Sequence, residues 1–360
     1  MYFLYRDAMG LPLETPRDLL DVYEAINIMS YIMSSMTVIV NGGILLAYCI
    51  QKIRKPTYQL TPAGYLVMNL LVADCLCGVV CTYVVQFKMW PENARAMAKY
   101  RYICPIRFAG GFLGFIGSHF ALLCIVIDRY IAVLKTMQYR EWMTSAMSFK
   151  MIIGGWIIPV CGAIIIVTKN GWFEGVETCT ENTIIPTFLF FVWIPMTVIV
   201  LMMIVLIQAK VHFELSRRSK SDSPLAIVLR RVTRKSARVL LQSTTIFIIC
   251  WGYFDGSLLI YLFVPHKWTK LIYDISFPVA LSSFLSNPML YSYKTKSINE
   301  PVRDLLLELQ KVLLCKKVDD SSPPSIVSRD SPPNRSPKGP EKRLSLSGQT
   351  FVTSLDYNVV

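Results

Sequence analysis

Seven long apolar stretches dominate this chain, at about residues 26–50, 63–88, 102–134, 149–168, 184–209, 237–263 and 270–292. Each is long enough to cross roughly 30 Å of hydrocarbon as a helix. No water is available there to satisfy backbone N–H and C=O groups, so a helix is the form such a stretch takes. The composition agrees: 53% of residues are hydrophobic, 17% are charged, and the mean hydropathy is +0.44. The expected fold is an all-α membrane protein, a bundle of seven transmembrane helices over residues 26–292.

The loops orient the bundle. The loop after the first stretch carries Lys52, Arg54 and Lys55 and no acid. The loop after the third has Lys135, Arg140 and Lys150 against Glu141. The segment 210–238, read as a loop, has nine Lys/Arg against Glu214 and Asp222. Basic loops stay in the cytoplasm. The first 25 residues, richer in acid than base, are therefore expected outside, and the C-terminus inside. The first residues also lack the basic start and short apolar core of a cleavable leader. The net charge of +13 is accounted for by these loops and does not call for nucleic acid.

Residues 293–317 read as an amphipathic eighth helix lying on the inner leaflet. Val302, Leu305, Leu306, Leu309, Val312 and Leu313 recur at helical spacing between charges. Cys315, followed by Lys316 and Lys317, is a palmitoylation candidate. Residues 318–360, with Ser321-Ser-Pro-Pro324 and Ser331-Pro-Pro333, read as a disordered cytoplasmic tail.

Polar residues inside the spans are few: Asn41, Asp74, Ser118, His119 and Asn287. An interhelical hydrogen bond, at ~0.6–2 kcal/mol, accounts for Asn41 alone. A buried carboxylate needs a proton, a cation or several donors. Asp74 with Ser118 and Asn287 is the expected sodium site; no other cofactor is called for. Pro288 frees a carbonyl and bends the seventh stretch. At the inner end of the third stretch stand Asp128, Arg129 and Tyr130. They are read either as an interfacial anchor, with Arg129 snorkelling, or as a switch facing a cytoplasmic partner.

Asn41, Leu70–Asp74, Asp128-Arg129-Tyr130, Trp156, Pro195, Phe247-x-x-Cys-Trp251 and Asn287-Pro288-x-x-Tyr291 occur in order, each in its own span. Together they resemble the rhodopsin-like (class A) G-protein-coupled receptors over roughly residues 26–315. The resemblance implies a disulfide between Cys104 and Cys179 across the outer face. It implies a toggle of Pro195, Phe247 and Trp251, with His119 beside them in a place usually held by an aliphatic residue. It also implies release of Arg129 from Asp128 as the sixth helix swings outward, with Tyr291 moving in. Met137 is then the apolar contact with a heterotrimeric G protein, and Trp90 a packing residue of the first outer loop.

Departures from the family pattern carry expectations of their own. The usual Cys-Trp-x-Pro is Cys250-Trp-Gly-Tyr253. Met203 stands where a tyrosine often supports the arginine, Thr233 where an acid often pairs with it, and Thr136 where a proline is common. The missing acid at Thr233 is expected to raise basal activity. Gly111 replaces the amine-binding aspartate, and Leu281 the retinal lysine, which sets aside ordinary aminergic receptors and visual pigments. The expected pocket comprises Arg107, Gly111, Tyr253, Asp255, Tyr273 and Asp274, with Tyr83 and Gln86 nearby. Asp255 is either a counter-ion for a cationic ligand or the partner of Arg107 or of loop lysines. Glu174, Glu177 and Glu181 in the second outer loop fit a small molecule or short basic peptide. The short inner loop between the fifth and sixth stretches is nearest the adenosine and melanocortin-like branch.

In the tail, Ser345 and Ser347 are phosphorylation candidates for receptor kinases, creating charge that recruits arrestin; an unmodified tail is the other reading. The enzyme class has no His-Glu-x-x-His, Gly-x-Ser-x-Gly or phosphate loop to support it. An ion channel or transporter using Asp74, Asn41 and Asn287 is the alternative function. The expected setting is the plasma membrane.

Overall fold

A computed structural model describes residues 17–89, 102–169, 185–218, 224–294 and 296–315. Among them there are helices and connecting turns but no strand. The long helices are α1 Arg17–Arg54, α2 Pro62–Met89, α3 Ile103–Leu134, α4 Ser145–Thr168, α5 Thr187–Arg218, α6 Pro224–Phe263, α7 Lys267–Lys294 and α8 Lys296–Cys315. A single helical turn, Tyr139–Trp142, lies between α3 and α4.

α1 to α6 each contain a window long and apolar enough to cross a membrane. α7 has the length, at 28 residues, but Asp274, Ser276, Ser282, Ser283, Ser286 and Asn287 dilute its hydropathy. Several helices run well past the apolar stretches. α5 reaches Arg218 and α6 starts at Pro224, so most of the segment read as an inner loop, 210–238, is helix. Hydropathy marks where lipid ends, whereas helical pairing continues into water wherever local propensity allows.

The first seven helices close a ring: each packs on the next or on α3, and α7 returns to α1. α3 is the hub, touching α2, α4, α5 and α6. In its apolar window 72% of residues are buried, against 22–50% in the other spans. The outward residues elsewhere are large and apolar, such as Ile39, Ile153, Phe191 and Ile249, as a lipid-facing surface requires. Local chemistry sets the ends. The Thr144 hydroxyl accepts the Met147 N–H at 3.2 Å and caps α4. Lys52 Nζ donates to the carbonyls of Pro56 and Tyr58 and closes the first inner turn.

By backbone contacts the chain divides into two compact units, Met1–Arg303 and Asp304–Val360. The first holds the seven-helix ring. In the described part of the second, residues 304–315 are helical, with Leu306 and Leu307 exposed. The side chain of Cys315 and all of residues 316–360, Ser345 and Ser347 included, lie outside the described residues, as does the expected Cys179. Cys104 is disulfide-bonded. Cys49, Cys75, Cys77, Cys81, Cys124, Cys161 and Cys250 are free thiols.

Small residues let α3 approach its neighbours. A Cβ on Gly114 would sit 2.7 Å from the Cα of Cys77 on α2, a backbone atom that has no rotamer escape. Gly154 on α4 has nothing within 4 Å. Gly114→Ala is expected to destabilise by ~1–3 kcal/mol through overpacking. Gly154→Ala is expected to be neutral. Thermal unfolding midpoints of the purified full chain in detergent check the contrast.

Candidate functional site

The polar core sits where α2, α3, α6 and α7 converge. Asp74 is fully buried on α2. The Ser118 hydroxyl on α3 donates to one carboxylate oxygen at 2.5 Å, and Asn287 Nδ2 on α7 donates to the other at 3.0 Å. Ser243 on α6 donates to Asn287 Oδ1 at 2.8 Å. Asn41 on α1 ties itself to the carbonyls of Thr37 and Phe284. The Trp156 indole donates to Asn69 at 2.8 Å, which joins α4 to α2. The three residues expected to form a sodium site are thus in direct contact. Asp74 and Ser118 offer hard oxygen ligands of the kind that hold such a cation. Asn287 turns its amide N–H to Asp74 and acts as a brace.

Above this core lies an aromatic cluster. Trp251 on α6 is fully buried and donates to the Ser283 hydroxyl at 3.2 Å. The His119 ring stands edge-on to Trp251 at 4.4 Å and to Phe247 at 4.8 Å, with Nδ1 against the Phe115 carbonyl at 2.8 Å. Pro195 corrects the expected toggle. It is exposed on the outer side of α5, between the buried Ile194 and Thr197, and only its neighbours reach inward.

A cavity of about 120 Å³ opens over this cluster, towards the end of the bundle assigned to the outside. Phe112, Phe115, Trp193, Phe254 and Phe277 give it an aromatic wall, and Arg107, Gly111, Tyr273 and Asp274 also line it. Tyr253 and Asp255, expected in the pocket, are not among the lining residues. An α-helix turns ~100° per residue, so Tyr253 lies ~200° round from Trp251 and is exposed on the outer face. Asp255 lies ~40° to one side. It is buried beside Thr197, whose hydroxyl is engaged with the carbonyls of Trp193 and Ile194. Neither oxygen of Asp255 makes a hydrogen bond, so the expected pairing with Arg107 or lysines is not seen among the described residues. Gln86 donates to the Tyr31 hydroxyl at 3.4 Å, and Tyr83 is largely exposed.

At the inner end, Asp128 is fully buried and Arg129 mostly so. Arg129 Nε lies 3.0 Å from Asp128 Oδ2, an ion pair without hydrogen-bond geometry. The Tyr139 hydroxyl donates to Asp128 Oδ1 at 2.9 Å. Burial first, and then Asp128, push the Tyr139 hydroxyl well above its ordinary value, so it remains a donor. Sequence reasoning passed over Tyr139; its one signal was an aromatic residue amid loop polars. Ser243 and Ser283 were missed as well, hidden in helices where serine is common. Tyr130 lies under Lys210 Nζ at 5.7 Å. Met137 is 92% exposed on the connecting turn, while Met203 faces outward from α5. The side chains of Tyr291 and Thr233 lie outside the described residues; Pro288 is buried.

The model of the seven-transmembrane receptor (rhodopsin family) matches residues 41–291, well over half of the chain. The chain belongs to this family. The receptor is 25% identical over 259 residues to a rhodopsin, GQ-coupled, of Mizuhopecten yessoensis, covering 64% of this chain and 50% of that one. It is 26% identical over 260 residues to human trace amine-associated receptor 6, covering 64% and 72%. It is 23% identical over 257 residues to melanocortin receptor 5 of Bos taurus, covering 68% and 74%. The chain thus spans only about half the length of the Mizuhopecten relative. The receptor is a multi-pass membrane protein.

The core network makes one clean prediction. Ser243→Ala leaves a buried amide oxygen of Asn287 without its donor, at an expected cost of ~1–3 kcal/mol. Thr245→Ala removes a hydroxyl that is exposed and bonded only to the Leu241 carbonyl, and is expected to change stability by under ~0.5 kcal/mol. Unfolding midpoints of the two variants decide it.

Proposed function

We propose that this chain is a plasma-membrane receptor, N-terminus outside, that binds a small extracellular ligand and activates a heterotrimeric G protein. One observation carries the reading. Phe115 lines the outer cavity and also packs edge-on against Trp251 at 5.3 Å. Trp251 in turn reaches Phe247, His119 and, through Ser283, α7. A ligand in the cavity therefore presses on side chains that are continuous with the polar core. The ligand shifts the equilibrium only through its differential affinity for the two states. In the resting state Asp128 holds Arg129, with Tyr139 bracing Asp128. In the active state the inner end of α6 moves outward, Arg129 is released, and Met137 meets the G protein. Asp74 and Ser118 would hold a sodium ion, which supplies counter-charge to the buried carboxylate and favours the resting arrangement.

Thr233 in place of an acid leaves Asp128 and Tyr139 as the main restraints on Arg129, so basal activity is elevated. α8 lies on the inner leaflet, palmitoylated at Cys315. Ser345 and Ser347, once phosphorylated by receptor kinases, present charge to arrestin. The cysteine bonded to Cys104 is Cys179 in this reading.

The test is nucleotide exchange on purified G proteins by the full chain in lipid nanodiscs. Ligand-free exchange above that of empty nanodiscs is expected. Asp128→Asn is expected to raise it severalfold. Tyr139→Phe removes one hydrogen bond of ~1 kcal/mol and raises it up to about fivefold. No exchange from any variant with any G-protein subtype would sink the reading. Ion current or solute uptake by reconstituted vesicles would instead favour the channel or transporter class.

A further inference from the structure

A second opening lies between α5 and α6, towards the end of the bundle assigned to the cytoplasm. Its walls run from Val205 to Ser216 on α5 and from Leu241 to Ile249 on α6. Both stretches belong to the inner parts of apolar spans, Phe188–Arg217 and Leu241–Phe263. The groove therefore sits at the depth of the inner leaflet. Its volume of about 580 Å³ falls within the ~300–1,000 Å³ of ordinary ligand pockets. Val205, Phe213 and Ile249 are exposed along it, so it faces lipid rather than the bundle core.

Polarity changes along the groove. Its deep end is apolar, with Val205, Ile248 and Ile249. Gln208, His212 and Ser216 then follow at successive turns of α5 towards the inner end. Gln208 decides what the groove asks for. It is only 6% exposed, and its amide Nε2 has no acceptor in the protein. A buried amide donor left unmet is costly, and more so where no water reaches it. Beyond the groove, residues 210–238 carry nine Lys/Arg against Glu214 and Asp222. Such a basic segment beside a membrane attracts anionic lipid.

We propose that the groove between α5 and α6 binds an anionic phospholipid of the inner leaflet. An acyl chain lies against Val205, Ile248 and Ile249. An ester or phosphate oxygen accepts from Gln208 Nε2, and the charged headgroup lies towards the basic segment. A phospholipid presents apolar length, then an acceptor, then negative charge along its axis. The groove and its basic flank present the matching wall in the same order. A free phosphate lacks the apolar length, and a sterol lacks the charge. Both walls belong to helices whose inner ends separate in the proposed switch, so occupancy and that movement are linked. This consequence rests on the receptor reading; the binding itself does not.

The experiment titrates the full chain in uncharged detergent with phosphatidylserine, phosphatidylcholine or glycerol 3-phosphate and follows the unfolding midpoint. Phosphatidylserine is expected to raise the midpoint saturably, with phosphatidylcholine at least about tenfold weaker. Glycerol 3-phosphate is expected to leave it unmoved. Ala209→Trp fills the groove without altering its charge, and is expected to weaken phosphatidylserine at least about tenfold. Ala209→Leu serves if the tryptophan variant fails to fold. Gln208→Leu is expected to weaken phosphatidylserine about fivefold through one lost hydrogen bond. Its lipid-free midpoint is expected to be no lower than the parent's, because the lost donor had nothing to bond. A merely structural glutamine would lower that midpoint. Ile199→Trp, exposed on α5 outside the groove, is expected to change phosphatidylserine affinity by no more than about twofold. Phosphatidylcholine that binds as well, a phosphatidylserine response that survives filling of the groove, or a lower lipid-free midpoint in Gln208→Leu each overturn the proposal. No G protein takes part in this readout. Lipid binding without nucleotide exchange would remove the receptor reading and leave the lipid site standing, and the converse result would do the opposite.

Discussion

A carboxylate at the centre of a membrane bundle is the constraint from which much of this architecture follows. Asp74 is fully buried, and an unpaired charge at that depth is expensive. α3 sends Ser118 and α7 sends Asn287 to its two oxygens, while α6 sends Ser243 to the far side of Asn287. Four helices are thus held at one depth by hydrogen bonds that none can make alone. The composition of α7 follows from the same demand. Ser276, Ser283 and Asn287 are buried, and the hydropathy lost in carrying such polar residues is why it reads as the least membrane-like of the seven helices.

The two ends of the bundle solve opposite problems around that core. The inner end gathers an acid, a base and a tyrosine, so that Asp128 accepts a hydrogen bond on one oxygen and faces a cation at the other. The outer end leaves donors unmet at Trp193 and Tyr23. Between them the aromatic rings of Phe115, Trp251, Phe247 and His119 touch in unbroken sequence. Close-packed interiors transmit displacement rather than absorb it. In the proposed switch this ring sequence carries a change in the cavity wall inward.

The seven spans, their order and the polar core were legible because lipid enforces a simple rule: apolar length for each crossing and a purpose for each buried polar group. Asp74, Ser118 and Asn287 stand out against that background, and the structure brings them into contact. What failed to read through was angular position. Asp255 and Tyr253 follow Trp251 closely in sequence, yet a helix carries one to the side and the other to the lipid face. Pro195 shows the same limit, since a motif residue need not point where its neighbours point. Tyr139 was hidden because a loop aromatic has no periodicity to betray it. The helical extensions of α5 and α6 were hidden because hydropathy reports on solvent and not on backbone pairing.

α6 is where these constraints meet the proposed switch. It runs 40 residues with no internal proline, so its backbone hydrogen bonds are not forced to break anywhere along it. Gly252 and Gly256 have no neighbour within 4 Å of a would-be side chain, which leaves room on that face without weakening the ladder. In the proposed switch a helix of this kind moves as a rod, pivoting at Trp251, which is fully buried and bonded to Ser283 on α7. From there the chain extends ~18 Å outward to Phe263 and ~40 Å inward to Pro224, at 1.5 Å per residue. A tilt of about 10° thus shifts the outer end by ~3 Å and the inner end by ~7 Å. In the proposed switch the unequal arms take the place of a proline kink: a small adjustment beside Phe254 and Leu258 becomes a larger displacement at the inner end.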